Sequence, residues 1–170
     1  MLSPDVRITV VEPALWSRFR DLRLAALAES PEMFGSALSR ELAFDEAEWR
    51  RRAQRPVTFL ASRGPRDVGI VGVHEFNGSW TVVGMWIAPD ARGTGVVDAL
   101  MDACETAARQ AGADAIVLGV MEDNTAGCRA YHRLGFRPIG QREHLREGRY
   151  ELWMTKPLSP QTSRAGGTSS

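Results

Sequence analysis

The sequence predicts a single-domain α/β protein with a mixed, mostly antiparallel central sheet flanked by helices. Residue periodicity alternates between strand and helix spacing in the order β-α-α-β-β-β-α-β-α-β-β. An antiparallel meander, marked by the hairpin dipeptide Asn77-Gly78, leads into a β-α-β unit, which makes the sheet mixed. A length of 170 residues suits one core, and 44% hydrophobic with 25% charged residues is near the globular average. Collagen-like, wholly disordered and disulfide-scaffold classes are thereby excluded.

The elements follow in order. Val6 to Val11 has β character, and Pro13 opens a helical pattern in which Leu15, Phe19, Leu22 and Ala26 recur at helix spacing. Pro31 pushes Ser30 out of the α region and ends that helix. Asp45 caps a second helix, with Glu48 three residues on as in a capping box, and that helix carries Trp49 and stops before Pro56. Val57 to Ala61 is a strand, Arg63 to Asp67 a turn, and Val68 to Phe76 a second strand. Asn77-Gly78 suits a type I′ turn, which needs positive φ at both positions, and Trp80 to Ile87 returns antiparallel. From Val96 a helix runs with Leu100, Cys104 and Ala107 in one row, and Gly112 stops it. Ala115 to Val120 is a short apolar strand of the buried kind. Asn124 caps a helix over Thr125 to Leu134, and two strands, Phe136 to Arg142 and Arg149 to Met154, complete the domain. The domain is expected over 1–158, with a disordered tail over 159–170 that lacks apolar anchors.

Charge and cysteine content narrow the partners. Lysine plus arginine (21) equals aspartate plus glutamate (21), so nothing in the balance favours nucleic acid. Cys104 and Cys128 are too few for a disulfide framework and read as free thiols in a reducing compartment, the cytoplasm. No secretory signal and no transmembrane run is expected, so no membrane partner is either. Lys156 is the lone lysine.

The segment Ile87-Ala88-Pro89-Asp90-Ala91-Arg92-Gly93-Thr94-Gly95-Val96-Val97 carries the first chemical signal. A strand ends at a proline, a turn holds Arg-Gly-x-Gly, and a long amphipathic helix starts at once. Glycines let consecutive N–H groups approach a ligand, and a helix start offers free donors and partial positive charge. Arg92 adds a planar cation. The NTPase phosphate loop is excluded because no lysine follows the glycines, and the dinucleotide fingerprint lacks its third glycine. A glycine-rich helix start without a ligand is the other reading of the same residues.

A second segment runs from Leu118 through Asn124 to Tyr131 and Leu134-Gly135-Phe136. Together the two resemble the GNAT superfamily of acetyl-CoA-dependent N-acetyltransferases. Its cofactor motif, Arg/Gln-x-x-Gly-x-Gly/Ala, is similar to Arg92-Gly93-Thr94-Gly95-Val96-Val97, with Val97 in place of the last small residue. The later motif is similar to Asn124, Tyr131 and Gly135-Phe136.

The resemblance implies a GNAT-like sheet splayed between its fourth and fifth strands. The pantetheine arm of acetyl-CoA would lie in the opening against Trp86 and Ile87. The diphosphate would rest on amides from Arg92 through Gly93, Thr94, Gly95 and Val96 to Val97. Asn124 would contact the arm. Tyr131 would act as general acid to the departing thiolate, and an N–H near Met85 or Trp86 would stabilise the oxyanion. The acceptor would be a primary amine of a small molecule, or a peptide N-terminus, attacked directly in a ternary complex. Phe34 would line its site, and a homodimer is allowed.

The base is less well marked. Relatives that place a glutamate five residues before the asparagine have Gly119 as their counterpart here. Glu75 is taken as the base, with Glu122, Asp123, Glu41 and a water chain as alternatives. No metal is expected, since His74, His132 and His144 lack ligand spacing. Cys128 reads as a buried thiol, because no histidine is placed to activate it. The rival reading is a GNAT-shaped domain that binds acyl-CoA or a partner protein without catalysis.

Overall fold

A computed structural model describes residues 5–146 and 148–159, so the expected tail lies outside the described residues beyond position 159. Seven strands are seen among the described residues: β1 (Val6–Val10), β2 (Val57–Arg63), β3 (Arg66–Phe76), β4 (Ser79–Ile87), β5 (Ala115–Met121), β6 (Arg137–Arg146) and β7 (Arg149–Pro157). They form one sheet in the order β1-β2-β3-β4-β5-β7-β6. β4 and β5 are parallel, and every other neighbouring pair is antiparallel. Helices α1 (Trp16–Glu29), α2 (Leu38–Leu42), α3 (Glu46–Arg52), α4 (Val96–Gln110) and α5 (Thr125–Arg133) flank it. The mixed, mostly antiparallel sheet is as expected.

Local chemistry accounts for most boundaries. Ser30 leaves the helical region (φ −134, ψ 58) before Pro31 and closes α1. The Asp45 side chain accepts from the Glu48 N–H at 2.8 Å and starts α3. Asn77 (φ 49) and Gly78 (φ 78) form the positive-φ turn between β3 and β4. Two expectations need correction. The turn between β2 and β3 shrinks to Gly64-Pro65, because Arg63 and Arg66 already pair. The five-residue α2 was not anticipated, since a single turn is too short for periodicity to register.

The core forms where α4 lies on the sheet. Val96, Leu100, Met101, Cys104 and Ala108 are buried on one helical stripe. Gly69 on β3 permits this approach, because a Cβ there would stand 3.0 Å from both Leu100 Cδ1 and Val96 Cγ1. Full burial of a side chain such as Leu100 contributes about 1.5–3 kcal/mol. On α1 and α3, Phe19 meets Trp49 edge-on with centroids 5.5 Å apart.

Two buried carboxylates are paired. Glu41 is fully buried and receives Arg23 bidentately at 2.9 and 3.0 Å, with Arg52 at 3.6 Å. Glu105 holds Arg109 at 3.0 Å and the lone lysine, Lys156, at 2.5 Å.

The feature that positions the site is the loss of pairing between β4 and β5. Only Trp80–Val82 pair with Ile116–Leu118. Beyond Val82 the β3–β4 register moves from Gly72↔Val83 to Ile70↔Trp86, so β4 carries an extra residue around Gly84-Met85. Gly84 has φ +63, in the left-handed region where a side chain is strained. The bulge turns residues 83–87 away from β5, while β5 stays paired with β7 along its whole length. The sheet therefore opens as a V toward the C-terminal ends of β4 and β5. That is the expected splay between the fourth and fifth strands.

Candidate active site

A cavity of about 760 Å³ fills one side of the V. Its walls are the end of β4, the loop before α4, the first turn of α4, and α5. Gly93 (φ 71) and Gly95 (φ 86) shape the loop, and Gly95 sits at the N-cap of α4 with no side-chain cap. The first-turn N–H groups of α4 thus face the cavity side as open donors, a cradle suited to an anion. The Thr94 hydroxyl donates back to the Ala91 carbonyl, and Arg63 Nη2 donates to the Thr94 carbonyl at 3.3 Å. Thr94 therefore braces the loop and is not a wall of the cavity.

Arg92 is already engaged. Its Nε donates to the Ile87 carbonyl at 3.0 Å, and its Nη2 to Glu29 Oε2 at 2.9 Å. Trp86 Nε1 donates to the same oxygen at 2.9 Å, and the Ser30 hydroxyl also donates to it. The Ser30 and Trp86 hydrogen bonds, aided by Arg92, hold the Glu29 carboxyl below the usual carboxylate range. Arg92 thus ties the end of α1 to the end of β4, and the cradle itself is backbone. Val96 is buried against the core and Val97 is more exposed, and both border the cavity.

A second cavity, about 550 Å³, lies on the other side of the bulge. Phe34 lines it beneath the Arg23 guanidinium, which stands 4.7 Å from the ring. Glu151 and Trp153 reach it from β7, and Gly119 from β5. The two cavities share Met33, Met85, Asn124 and Tyr131. Asn124 Oδ1 accepts the Gly127 N–H at 2.9 Å as the cap of α5, which leaves its NH₂ for the cavities. Tyr131 packs edge-on to Phe136 at 6.0 Å, and its hydroxyl has no hydrogen-bond partner among the described residues. Burial pushes this phenol well above its ordinary pKa, so it keeps its proton at neutral pH.

Glu151 occupies the space that Gly119 leaves. A Cβ at Gly119 would collide with the Glu151 carboxylate and stand 2.8 Å from its Cγ. The carboxylate has no hydrogen bond or ion pair among the described residues. Burial, with Glu143 adding, pushes it above the usual carboxylate range. Glu143 accepts from Trp153 Nε1 at 3.2 Å.

The structure therefore brings Trp86, Ile87, Arg92, Gly93, Gly95, Val96, Val97, Asn124 and Tyr131 to one cavity and Phe34 to the next. Glu75, expected as the base, is not among them. It is exposed at the hairpin end of β3 opposite Trp80, where β4 still pairs with β5 and the V is closed. Glu122 is held by Arg142 at 2.6 Å, Asp123 by Arg149 at 3.0 Å, and Glu41 by its two arginines. The Cys128 thiol is raised by burial and unactivated. Sequence reasoning did not single out Glu151, which the fold brings to this cavity. The available signal was alternation along β7, which puts Glu151 on the same face as Trp153. No group of three metal-ligating side chains gathers among the described residues, and none of their helices is long and apolar enough to cross a membrane.

The site thus combines a parallel strand pair, splayed by a bulge, with an uncapped helix start. The family model described as Acetyltransferase (GNAT) family matches residues 19–136, and the chain belongs to that family. Nourseothricin acetyltransferase is 32% identical over 61% of this chain, with a TM-score of 0.57, and the chain spans 65% of that protein's length. A GNAT-family acetyltransferase from Streptococcus pneumoniae is 16% identical and aligns over 91% of this chain and 99% of its own, with a TM-score of 0.76. The yncA protein of Salmonella typhimurium, solved with its cofactor acetyl-CoA, is 15% identical over 95% of this chain and 99% of its own, with a TM-score of 0.72. These last two likenesses are of fold. No curated protein sequence matches.

Proposed function

We propose that this chain transfers an acetyl group from acetyl-CoA to a primary amine of a small molecule, by direct attack with both substrates bound. The observation that carries this reading is the meeting of two cavities at Tyr131 and Asn124. One has an uncapped helix start and glycine loop suited to a diphosphate. The other, at about 550 Å³, is within the range of small-molecule sites, roughly 300–1,000 Å³. Nourseothricin acetyltransferase is by its name an acetylating enzyme, and that likeness supports acetyl transfer here.

Acetyl-CoA supplies the acetyl group as an activated thioester. The loop amides of residues 93–97 bind its diphosphate, and the unpaired backbone of β4 from Val83 to Ile87 aligns its arm. The Asn124 NH₂ orients the arm from the opposite wall. An N–H of the bulge at Met85 or Trp86 polarises the thioester carbonyl. Tyr131 donates its proton to the leaving sulfur. Burial raises the phenol, so it holds its proton until a stronger base such as the leaving thiolate forms beside it.

The test is Tyr131→Phe, assayed for CoA release with a panel of primary amines. Turnover should fall about 100-fold, with CoA affinity unchanged, and initial-rate lines should intersect. Tight CoA binding with no amine acetylated would instead identify a non-catalytic binding domain.

A further inference from the structure

We infer that Glu151 is the carboxylate that receives the acceptor's ammonium group and takes its proton, reaching from β7 across the vacancy that Gly119 leaves on β5. This rests on the acetyl-transfer reading above and names a working group of its acceptor site. Three structural facts support it. The carboxylate lies over Gly119 so closely that even a Cβ there would displace it. It lines the cavity that also holds Tyr131, Asn124 and Phe34. Among the described residues it has no hydrogen-bond or ion-pair partner, whereas Glu41, Glu122 and Asp123 are all paired to arginine. A half-buried carboxylate without a partner is costly to keep unless a ligand supplies one.

The chemistry balances. The ammonium gives one proton to Glu151, which passes it to solvent. The freed nitrogen lone pair forms the N–C bond, and the C–S bond breaks with its electron pair on sulfur. Sulfur takes the Tyr131 proton, and the second proton leaving nitrogen returns to the tyrosine through water. The sum is an amide, free CoA thiol and one released proton.

Several groups face Glu151. Glu143 stands opposite it on β6, and Tyr131 of α5 lines the same cavity. Leu118 to Met121 of β5 carry no charge, and Arg23, Arg51, Arg52 and Arg55 line the far wall of the cavity. With burial and Glu143 both raising Glu151, the acid limb of kcat/KM should lie above the ordinary carboxylate range.

The experiment compares wild type with Glu151→Gln, Glu151→Asp, Glu151→Ala and the double variant Glu151→Ala/Gly119→Asp. Each is assayed with the best amine of the panel, and binding of that amine to the CoA-bound protein is followed by calorimetry. Glu151→Gln should lose about 100-fold in kcat/KM, lose the acid limb, and weaken amine binding at least about tenfold. Its CoA affinity should be unchanged. Glu151→Asp should retain the limb, and Gly119→Asp should restore at least about tenfold to the Glu151→Ala background by returning a carboxylate to the vacancy. Glu151→Gln with kcat/KM within about threefold of wild type and its acid limb intact overturns the inference while acetyl transfer stands. If wild type acetylates no amine, the acetyl-transfer reading fails. In that case methylammonium binding decides: weakening in Glu151→Gln retains Glu151 as the ammonium receptor, and equal binding overturns it.

Discussion

At the scale of single residues, Glu41 illustrates how the wall of the smaller cavity is held. Burial alone would raise its carboxyl, but hydrogen bonds from Arg23 and Ser36 and the charge of Arg52 bring it below the usual value. A depressed folded-state pKa means that its stabilisation is fully present above the unfolded value, roughly 4.3. It is lost as pH falls through the lower folded value. Glu41→Ala strands two arginines, one of which covers Phe34. Breaking such a buried pair costs about 3–5 kcal/mol, which denaturant unfolding at pH 7 would read directly. The gap between Glu41→Gln and wild type should narrow below about pH 4.

At the scale of elements, the β4 bulge is the critical part. Gly84→Ala forces a side chain into the left-handed region at a cost of about 1–2 kcal/mol. Its Cβ would stand 3.4 Å from Arg23 Nη1. The variant should melt at lower temperature and turn over more slowly, because the Met85 and Trp86 amides shift, while CoA binding at the 93–97 loop is largely kept. A parallel loss of CoA affinity, seen by calorimetry, would show that the bulge governs the loop as well.

The same element shows what the sequence made legible. Strands, helices, caps and the Asn77-Gly78 turn follow from local periodicity and turn chemistry, and most lie within a few residues of their expected places. The splay followed from a resemblance, because a lone glycine, Gly84, is only a weak mark of a bulge in a strand. Long-range partnerships were illegible for a different reason. Arg92 meets Glu29 across 63 positions, and Glu151 fills a void created by Gly119 on another strand. Each depends on register and strand order, and neither residue's own neighbourhood signals it. Glu75 is near β4 in sequence yet sits at the closed end of the V, a placement that depends on where β4 stops pairing with β5.

At the scale of the whole molecule, β1–β4 and β5–β7 are two sheet halves joined by three β4–β5 rungs and spanned by α4. A ligand lying in the V would bridge them. At 100 times its Kd, CoA should stabilise the fold by about 2.7 kcal/mol and raise Tm by roughly 5–10 °C. Amide exchange should slow most at Val83–Ile87, where β4 lacks its β5 partner. Slowing spread evenly over the sheet, with none concentrated there, would place the ligand elsewhere.

The pairing of Lys156 with Glu105 has a consequence for such an enzyme's own chemistry. Acetyl thioesters modify lysines without assistance, so the acetyl transfer proposed above would expose the protein to that damage. This sequence offers a single ε-amine, and it is tied up in an ion pair with the buried Glu105 carboxylate on α4. The molecule should emerge from prolonged contact with acetyl-CoA with that side chain unmodified, a resistance that intact-mass measurement would register and that Glu105→Gln should abolish.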